Sequence, residues 1–593
     1  MKTVKSKLFV LVVLICVLFW GPMIIETSFA QPNSKNIHSA ELRNSIRKFK
    51  TLLQRHTQEA VDEGIDMDRV RELDRKSKNA AREGRIEDAV GFLEQAISIL
   101  EKTPDLLERK KMLSQKSPGT AREMAQRQLS SQDVLRDIKN NQALVYFDSP
   151  FGFIEDVTHE PYLGELNVHW IRGTQAAKWD WIEKKRGVYD WSIPDHYFLS
   201  SFNNGINTAL EIRVINDLYG ATRENPYPDG NMDALSDFVR NLVERYDGDG
   251  IDDAPGSPVI KLYQFIHELA PPLPKDHGNK NRKEYYRSNV EHYIKLFHVI
   301  YKAMKAACPD AKLMLAGTTK IADFSFKGDT IQYPDGMNSF VPLDEDGFFV
   351  KVLRGLDRSY TDIAIDYHIW VKAKGAGYKM HQNFISEIRN CYKRLGYEDI
   401  DIMSMEAGTT DHMDGATEKD QAISVVKIYV SSLALGQKKL FWTTVYEYDW
   451  SQEDTSIFDF TGLINNERNT DGKSHKKLAF FTYKLMVEKL EGTAWDKIET
   501  IVDGTDNVYM YRFTEKGSQK SVYVVWWDRF DKSSFSESAS KSVTLDIMKT
   551  DRIRITDSIT DAAGIRMIWE KAVDNGKVEL SLNGTPLFIE PVN

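Results

Sequence analysis

The sequence predicts an α/β protein built around a (β/α)8 TIM barrel, with an N-terminal helical hairpin region and a C-terminal antiparallel β-sandwich. Two observations predict the barrel. Between residues 142 and 492, apolar strand-like runs alternate with amphipathic helical patterns, as in a parallel sheet with crossover helices. Eight such runs lie in this segment, and eight strand–helix pairs fit a closed barrel better than an open sheet. Short alternating segments separated by turn residues then fill residues 493 to 593, which predicts the sandwich.

The predicted elements follow in chain order. The eight barrel strands are Ala143 to Phe147, Val168 to Arg172, Thr208 to Val214, Lys261 to Glu268, Lys312 to Gly317, Ile363 to His368, Asp401 to Glu406 and Lys439 to Thr444. The clearest barrel helices are Ala234 to Tyr246, Asn289 to Ala307, Gln382 to Leu395 and Lys419 to Leu435. The sandwich strands are Val508 to Phe513, Ser521 to Trp527, Ser542 to Leu545, Arg552 to Thr556, Val578 to Leu582 and Pro586 to Ile589.

The first 30 residues have the pattern of a secretory signal peptide. Lysines precede an apolar run from Leu8 to Trp20, and Ser28-Phe29-Ala30 fits a cleavage site. We therefore expect an exported protein, periplasmic or extracellular, after cleavage near Ala30. Because Ile24 and Ile25 extend the apolar stretch, an uncleaved membrane anchor is the alternative.

Residues 36 to 102 are charged and helically periodic, which predicts a helical hairpin resembling a tetratricopeptide unit. Its second helix places Ala89, Leu93, Ala96, Ile97 and Leu100 on one face. Too few repeats are present for a stable solenoid, so a spacer, dimer contact or docking role remains open. Residues 103 to 141 are predicted to be a linker.

Composition excludes several classes of function. The 593 residues are 41% hydrophobic and 28% charged, with a net charge of -9, which argues against a nucleic-acid partner. Only Cys308 and Cys391 follow the signal segment, too few for a disulfide framework. No phosphate-binding loop or dinucleotide fingerprint is present, so no organic cofactor is expected. The acidic loop from Asp247 to Asp253 superficially resembles a calcium loop, but Pro258 stands where the bidentate glutamate would lie, so no metal is expected.

Two predicted strands end on a glutamate. Glu268 closes the fourth strand and Glu406 the seventh. Because chemistry in a parallel barrel sits at the carboxyl ends of strands, both carboxylates are predicted to lie at the mouth of the active site.

Five stretches carry a family resemblance over the barrel and the sandwich. They are Leu163 to Arg172 with its continuation Trp181 to Trp191, then Ile260 to Glu268, Asp362 to Trp370, Ile402 to Gly408, and Phe441-Trp442 with Gly462 to Ile464 and Lys476 to Tyr483. In this order they resemble motifs of the retaining glycoside hydrolases of the (β/α)8-barrel clan A, the 4/7 superfamily, and are similar to those of glycosidases like families 39, 42 and 5.

The resemblance implies roles for six residues. Glu406 would be the nucleophile and Glu268 the general acid and base, in a reaction that needs the two carboxyls about 5 to 5.5 Å apart. Arg172 would hold Glu406 ionised, and the other sugar contacts would be His267, His368 and Trp442. The competing interpretations are a structural ion pair inside the barrel for Arg172, a satisfied histidine at a strand end for His368, and barrel packing for Trp442. A carbohydrate is the expected substrate.

One departure from the family pattern concerns the residue before the acid. The clan has asparagine there, whereas this chain has His267, followed after Glu268 by Leu269 in place of proline. A histidine ring nitrogen can also donate a hydrogen bond to a sugar hydroxyl. Two other functions remain open: a catalytically silent carbohydrate-binding barrel, and an envelope adaptor acting through the N-terminal helices.

Overall fold

The structure is a computed structural model. It leaves undescribed residues 1–44, 46, 47, 49–66, 83, 84, 102–141, 155–159, 174–176, 223, 224, 268–288, 318–347, 372, 374–376, 399, 412–415, 448–459, 467–473, 529–538, 548, 549, 562, 563 and 593. The predicted signal peptide, the predicted linker and Glu268 therefore lie outside the described residues. Among those that are described, no helix combines the length and apolar composition needed to cross a membrane.

The chain forms two compact units, Met1–Gln128 and Leu129–Asn593. In the first unit, α1 (Met67–Arg82) and α2 (Ile86–Glu101) pack into a hairpin. The described core of this hairpin consists of Val70, Leu73, Ala80, Ala89, Leu93, Ala96 and Ile97. The last four lie on the face expected from the helical periodicity. The limits of the predicted hairpin and linker regions stay predictions.

The second unit contains the barrel, which confirms the predicted fold class. Its strands are β1 (Phe151–Phe153), β2 (Trp170–Gly173), β3 (Asn207–Ile212), β4 (Leu262–Phe265), β5 (Lys312–Met314), β6 (Ile363–Asp366), the two-residue β7 (Ile369–Trp370), β8 (Asp401–Gly408) and β9 (Leu440–Trp442). All pairs are parallel. β6 pairs with β8, and β9 pairs back to β1, so eight strands close the barrel, and β7 adds to the end of β8.

The first predicted strand was wrong. Ala143 to Phe147 begins as the short helix α3 (Gln142–Val145), and the first barrel strand follows at Phe151–Phe153. Its central residue, Gly152, faces the Phe441 ring, and an added Cβ would lie 2.7 Å from that ring. A three-residue strand with an obligatory glycine carries too little pattern to be found in the sequence.

The other helices of this unit follow the strands. They are α4 (Glu160–Leu166), α5 (Trp179–Ile182), α6 (Ser192–Asn203), α7 (Met232–Glu244), α8 (Val290–Ala307), α9 (Phe348–Gly355), α10 (Gly377–Arg394), α11 (Glu418–Ala434) and α12 (Leu478–Leu490). The start of α11 is fixed by a capping box, in which the Thr417 side chain accepts from the Asp420 N–H and Asp420 accepts in return.

The barrel interior changes character along the strands. At the end where the strands begin, which we call the lower end, the apolar cluster contains Trp170, Ala209, Leu262, Met314, Ala364, Met403, Met405 and Phe441. Two residues further along four of these strands stand the buried polar residues Arg172, Glu211, Gln264 and Asp366. Since alternate strand residues point to the same side, both sets face the interior, and the polar set forms the upper end.

The remaining strands form the predicted sandwich. They are β10 (Glu499–Asp503), β11 (Val508–Thr514), β12 (Ser521–Trp527), β13 (Lys541–Asp546), β14 (Arg552–Thr560), β15 (Arg566–Ala572), β16 (Lys577–Leu582) and β17 (Leu587–Val592). Six make an antiparallel sheet in the order β10-β11-β12-β17-β14-β15, and β13 pairs with β16. One apolar cluster joins the two sheets. The sequence did not predict β10 and β15, which lie at the sheet edges and are mostly exposed.

A buried polar cluster joins the sandwich to the barrel. The Lys427 ammonium on α11 lies 2.7 Å from an Asp528 carboxylate oxygen just after β12. Tyr378 on α10 donates to the other oxygen of Asp528, and the Trp526 indole N–H donates to Tyr378 over 3.1 Å. A buried ion pair with these additional bonds fixes the sandwich against two barrel helices.

Candidate active site

Glu406 lies at the centre of the upper end. It is 6% exposed, and both carboxylate oxygens have close partners. Oε1 lies 3.1 Å from Arg172 Nη1 and 2.8 Å from His267 Nε2, while Oε2 lies 3.3 Å from His368 Nδ1. The structure thus brings together four of the six predicted site residues.

Local irregularity in β8 directs Glu406 into the barrel. The pairing of β8 with β9 shifts register between Ser404 and Ala407. The Ser404 hydroxyl donates to the Glu406 carbonyl over 2.8 Å, and the Met405 N–H donates to Asp366 Oδ1 over 2.8 Å. Such bulges re-aim a side chain at a barrel rim.

Arg172 holds the upper end together. Its side chain is 1% exposed, and Nη2 donates to Gln264 Oε1 over 2.6 Å and to the His267 carbonyl over 3.1 Å. The planar guanidinium therefore joins β2, β4 and β8 in one geometry, which a flexible lysine would not reproduce.

His368 lies between two carboxylates. Its Nε2 is 2.9 Å from Asp366 Oδ2, which also accepts from Gln264 Nε2 over 2.6 Å. The ring packs so closely against Gly317 that an added Cβ there would lie 2.4 Å from Nε2. Gly317 is thus required for the position of His368.

His267 is the most accessible of Glu406's partners, with a side chain 25% exposed. The residue before it, Ile266, has φ of 67°, a left-handed conformation that costs a β-branched residue energy. The surrounding bonds maintain it: the His267 N–H donates to Glu211 Oε1 over 2.8 Å, and the Gly317 N–H donates to the His267 carbonyl over 3.1 Å.

The electrostatics favour an ionised Glu406. Burial raises the pKa of the Glu406 carboxyl, but the charge of His368, the His267 ring and hydrogen bonds from both rings lower it by more. The pKa therefore lies well below its ordinary value. Burial and the Arg172 charge lower the pKa of His267, against the opposing effects of Glu406 and Glu211. We infer a neutral His267 at pH 7, which donates its Nε2 proton to Glu406.

The sequence analysis missed three residues of this site: Glu211, Gln264 and Asp366. A signal was present, because each is a polar residue inside an apolar strand, two positions after Ala209, Leu262 or Ala364. A polar residue that keeps the inward phase of a parallel strand has no solvent to face, so it needs partners inside the barrel.

Two predicted site residues are placed differently. Glu268 follows His267 directly but lies outside the described residues, so its role stays a prediction. Trp442 is fully buried, and its indole N–H donates to the Thr461 carbonyl over 3.0 Å. An indole without exposed surface has no free face for a sugar ring, so the structure favours the packing interpretation of Trp442.

Glu183, in the motif that follows the second strand, has a structural role. It accepts from the Trp179 indole N–H and the Gly187 N–H, each over 2.6 Å, and from the Tyr219 hydroxyl. These bonds fold the loop from α5 to α6 and include none of the Glu406 partners.

In the acidic loop before β4, the carboxylate oxygens of Asp247, Asp249 and Asp253 lie within 4.8 Å of one another. Burial raises the pKa of Asp247 to about 7 and raises that of Asp253. Backbone N–H groups of the same loop donate to these carboxylates. The expectation that no metal is required stays a prediction.

Comparisons with known proteins were made by sequence and by structure. No family model matches the chain, and no curated protein matches it. A family 39 glycoside hydrolase from Bacteroides cellulosilyticus WH2 matches with a TM-score of 0.48 and 14% identity, covering 75% of this chain and 81% of the other. A family 30 subfamily 8 xylanase from Clostridium acetobutylicum matches with a TM-score of 0.45 and 10% identity, covering 75% and 96%. A xylanase from Thermotoga maritima matches with a TM-score of 0.39 and 15% identity, covering 59% and 98%.

All three are described as glycoside hydrolases or xylanases, the class that the motifs resemble. Likenesses this distant carry no functional argument. The fold and the site define a (β/α)8 barrel with a buried, ionised carboxylate, Glu406, on β8, which is the seventh strand of the closed barrel.

Proposed function

We propose that the protein is an exported, retaining glycoside hydrolase of poly- or oligosaccharides, with Glu406 as nucleophile and Glu268 as general acid and base. One observation supports this most directly: Glu406 is buried, has a lowered pKa, and is oriented by Arg172, His267 and His368 at the carboxyl end of a barrel strand. A carboxylate that stays ionised in a nearly dry site is suited to attack an electrophilic carbon.

In the proposed first step, a Glu406 oxygen attacks the anomeric carbon while Glu268 protonates the leaving glycosidic oxygen. Water then attacks the same anomeric carbon, the bond from that carbon to the Glu406 oxygen breaks and releases the carboxylate, and Glu268 removes the proton of the water. The negative charge of Glu406 disappears when the ester forms, but Arg172 keeps Gln264 Oε1 and the Met405 and His267 carbonyls as acceptors. The guanidinium therefore remains in place for the second step.

His267 is the proposed contact to the sugar 2-hydroxyl, in the position where the resembled clan has asparagine. Its partial exposure makes the ring reachable, and its Nε2 proton lies within hydrogen-bond distance of the nucleophile. The same nitrogen would then donate to Glu406 in the resting site and share that proton with the hydroxyl when substrate binds.

A second candidate function rests on that same bond. The 2.8 Å contact from His267 occupies Oε1 of Glu406, which Arg172 also contacts, and a carboxylate oxygen with two donors is a weaker nucleophile. A carbohydrate-binding barrel without catalysis would retain this arrangement.

Covalent labelling distinguishes the two functions. The wild-type protein is incubated with a panel of cyclitol epoxide or aziridine probes of different sugar configurations, and its intact mass is measured. We expect a one-probe mass increase with at least one configuration, mapped by peptide mass spectrometry to Glu406, and no label in Glu406→Gln.

Glu183→Gln is the matched control, because it changes another buried glutamate of the barrel that has no contact with Glu406. It should label at the wild-type rate. Absence of label with every probe, together with measurable glycan binding by calorimetry, would favour the non-catalytic barrel.

A further inference from the structure

Glu211 is a buried carboxylate at the upper end of the barrel. Its side chain, on β3, has no exposed surface. Oε1 accepts the His267 main-chain N–H over 2.8 Å, and Oε2 accepts from Arg213 Nη2 over 2.8 Å. Glu211 therefore binds the backbone of His267, which is one of the two residues at which the chain departs from the motif it resembles.

The bond from the His267 N–H to Glu211 affects the backbone at the end of β4. The left-handed turn at Ile266 ends β4 and sets the direction in which His267 leaves the strand. Glu211 binds the N–H of this turn, while Arg172 and the Gly317 N–H bind its carbonyl. A strained conformation persists only where its surroundings determine it, and Glu211 supplies the bond on the N–H side.

The position of Glu211 also affects the imidazole ring of His267. His267 Nε2 is 2.8 Å from Glu406 Oε1, and Nδ1 on the opposite side is 3.9 Å from Glu211 Oε2. Nδ1 is buried and makes no hydrogen bond to the described part of the chain. The imidazole therefore lies between two carboxylates, hydrogen-bonded to one and within electrostatic reach of the other.

The charges around the ring come from four strands. Arg172 on β2 and Glu406 on β8 form one ion pair, and Arg213 just after β3 forms a second with Glu211. Asp366 at the end of β6 and His368 just after it form a third pair of titratable groups. The ring centroids of His267 and His368 lie 6.0 Å apart. Glu211 is thus the negative group on the side of His267 away from Glu406.

We propose that Glu211 is a positioning residue for His267: by accepting the His267 N–H it holds the strained end of β4 and thereby keeps the imidazole beside Glu406. This inference rests on the proposed function for its effect on rate. With an anionic oxygen beside Nδ1 and a second beside Nε2, the ring stays oriented along the line that joins Glu211 and Glu406.

The first test needs no substrate. Histidine labelled with ¹³C and ¹⁵N is incorporated, the His267 signals are assigned by their loss in His267→Asn, and the ring is titrated in wild type and Glu211→Gln. Because the negative charge of Glu211 raises the pKa of His267, its removal should lower the titration midpoint. Because a carboxylate near Nδ1 favours a proton on that nitrogen, the ¹⁵N shifts should also move further toward the Nε2–H tautomer in Glu211→Gln.

The second test measures the rate of Glu406 labelling by the reactive probe across pH. Glu211→Gln should label on the order of 10- to 100-fold more slowly, because a small misplacement of a reacting group has effects of that size. In Glu211→Gln, the limb of the pH–rate profile that reports the ionisation of His267 should move to lower pH, as the NMR titration midpoint does. Glu183→Gln should change neither measurement.

The outcomes are separable. If the His267 titration midpoint, the His267 tautomer and the labelling rate of Glu211→Gln all equal those of the wild type, the inference is wrong. If the wild type itself is never labelled, the proposed function fails, but the His267 titration and tautomer still decide the role of Glu211. Should Glu211→Gln not fold, Glu211→Asp keeps the charge but retracts it from the His267 N–H, and a wild-type ¹⁵N pattern in that variant would likewise overturn it.

Discussion

The two ends of the barrel interior are built on the same strands and differ completely in chemistry. At the lower end the apolar cluster fills the space mainly by van der Waals contact, with Leu262, Met314 and Phe441 among its members. At the upper end Arg172 and Glu406 are bound by hydrogen bonds in fixed directions. Apolar contacts are non-directional, whereas buried polar groups are costly unless each has its partner.

The difference predicts which property of the protein a substitution changes at each end. A change at the lower end alters packing and the free energy of unfolding. A change at the upper end also alters the charge on Glu406 and therefore the chemistry and its pH dependence. Lys439 is a charged residue at the otherwise apolar lower end. This buried lysine donates to the Phe147 and Ser149 carbonyls over 2.7 and 2.9 Å, and its ammonium lies 3.9 Å from the Trp170 ring centroid.

The largest effect is expected at Arg172. Arg172→Met leaves Glu406 without its guanidinium partner, and breaking a buried ion pair costs about 3–5 kcal/mol. The labelling rate of Glu406 should fall by about 10²–10³-fold, as when one preorganised electrostatic donor is removed. Thermal unfolding and probe labelling, measured together, check both effects.

Arg172→Lys separates charge from geometry. The variant keeps a positive charge but lacks the planar fork that reaches both Glu406 and Gln264. We expect intermediate stability and a labelling rate closer to that of Arg172→Met than to wild type. A wild-type rate in Arg172→Lys would show that a point charge suffices.

At the lower end, Phe441→Ala should reduce the free energy of unfolding by about 3–5 kcal/mol, because a fully buried aromatic ring is replaced by a cavity. Phe441→Leu, which fills most of that volume, should cost less. Urea denaturation measures both. The pH at which labelling is fastest should not move in either variant, and a shift would contradict the separation of the two ends.

An effect that varies with pH is expected at Lys439. Burial lowers the pKa of its ammonium to about 7, whereas the unfolded chain retains the ordinary value of about 10.5. The unfolded state therefore binds more protons between these values, and the contribution of Lys439 to stability rises with pH from about 7 to about 10.5. Its slope is at most about 1.4 kcal/mol per pH unit.

Lys439→Met removes this contribution. The melting temperature of the variant relative to wild type should therefore be highest near pH 6 and should decrease toward pH 10. A difference that is constant with pH would mean that Lys439 does not change its protonation in this range, and that the lower end holds a permanent charge.

The sequence was sufficient for much of the fold because the barrel strands are predominantly apolar and the helices between them are amphipathic. Motif order also placed Arg172, His368 and Glu406 at strand ends, and the structure brings these three side chains together, while their roles stay predictions. The sequence failed at β1, whose three residues, with Gly152 at their centre, are too few to show a periodicity. It also missed Glu211, because strand phase must be known before an inward-facing charge can be recognised. The burial of Trp442 depends on neighbouring loops, which one strand does not specify.

The polar cluster at Lys427, Asp528 and Tyr378 has a consequence for how far the chain can be shortened. A fragment ending near Gly492 would lack Asp528 and Trp526, and it would leave the Lys427 ammonium on α11 without its counterion on a surface built to be covered. That fragment would have to hydrate a lysine set among aromatic rings and expose the barrel face now under β11 and β12. The sandwich is thus part of the folding unit of the barrel rather than a removable appendage.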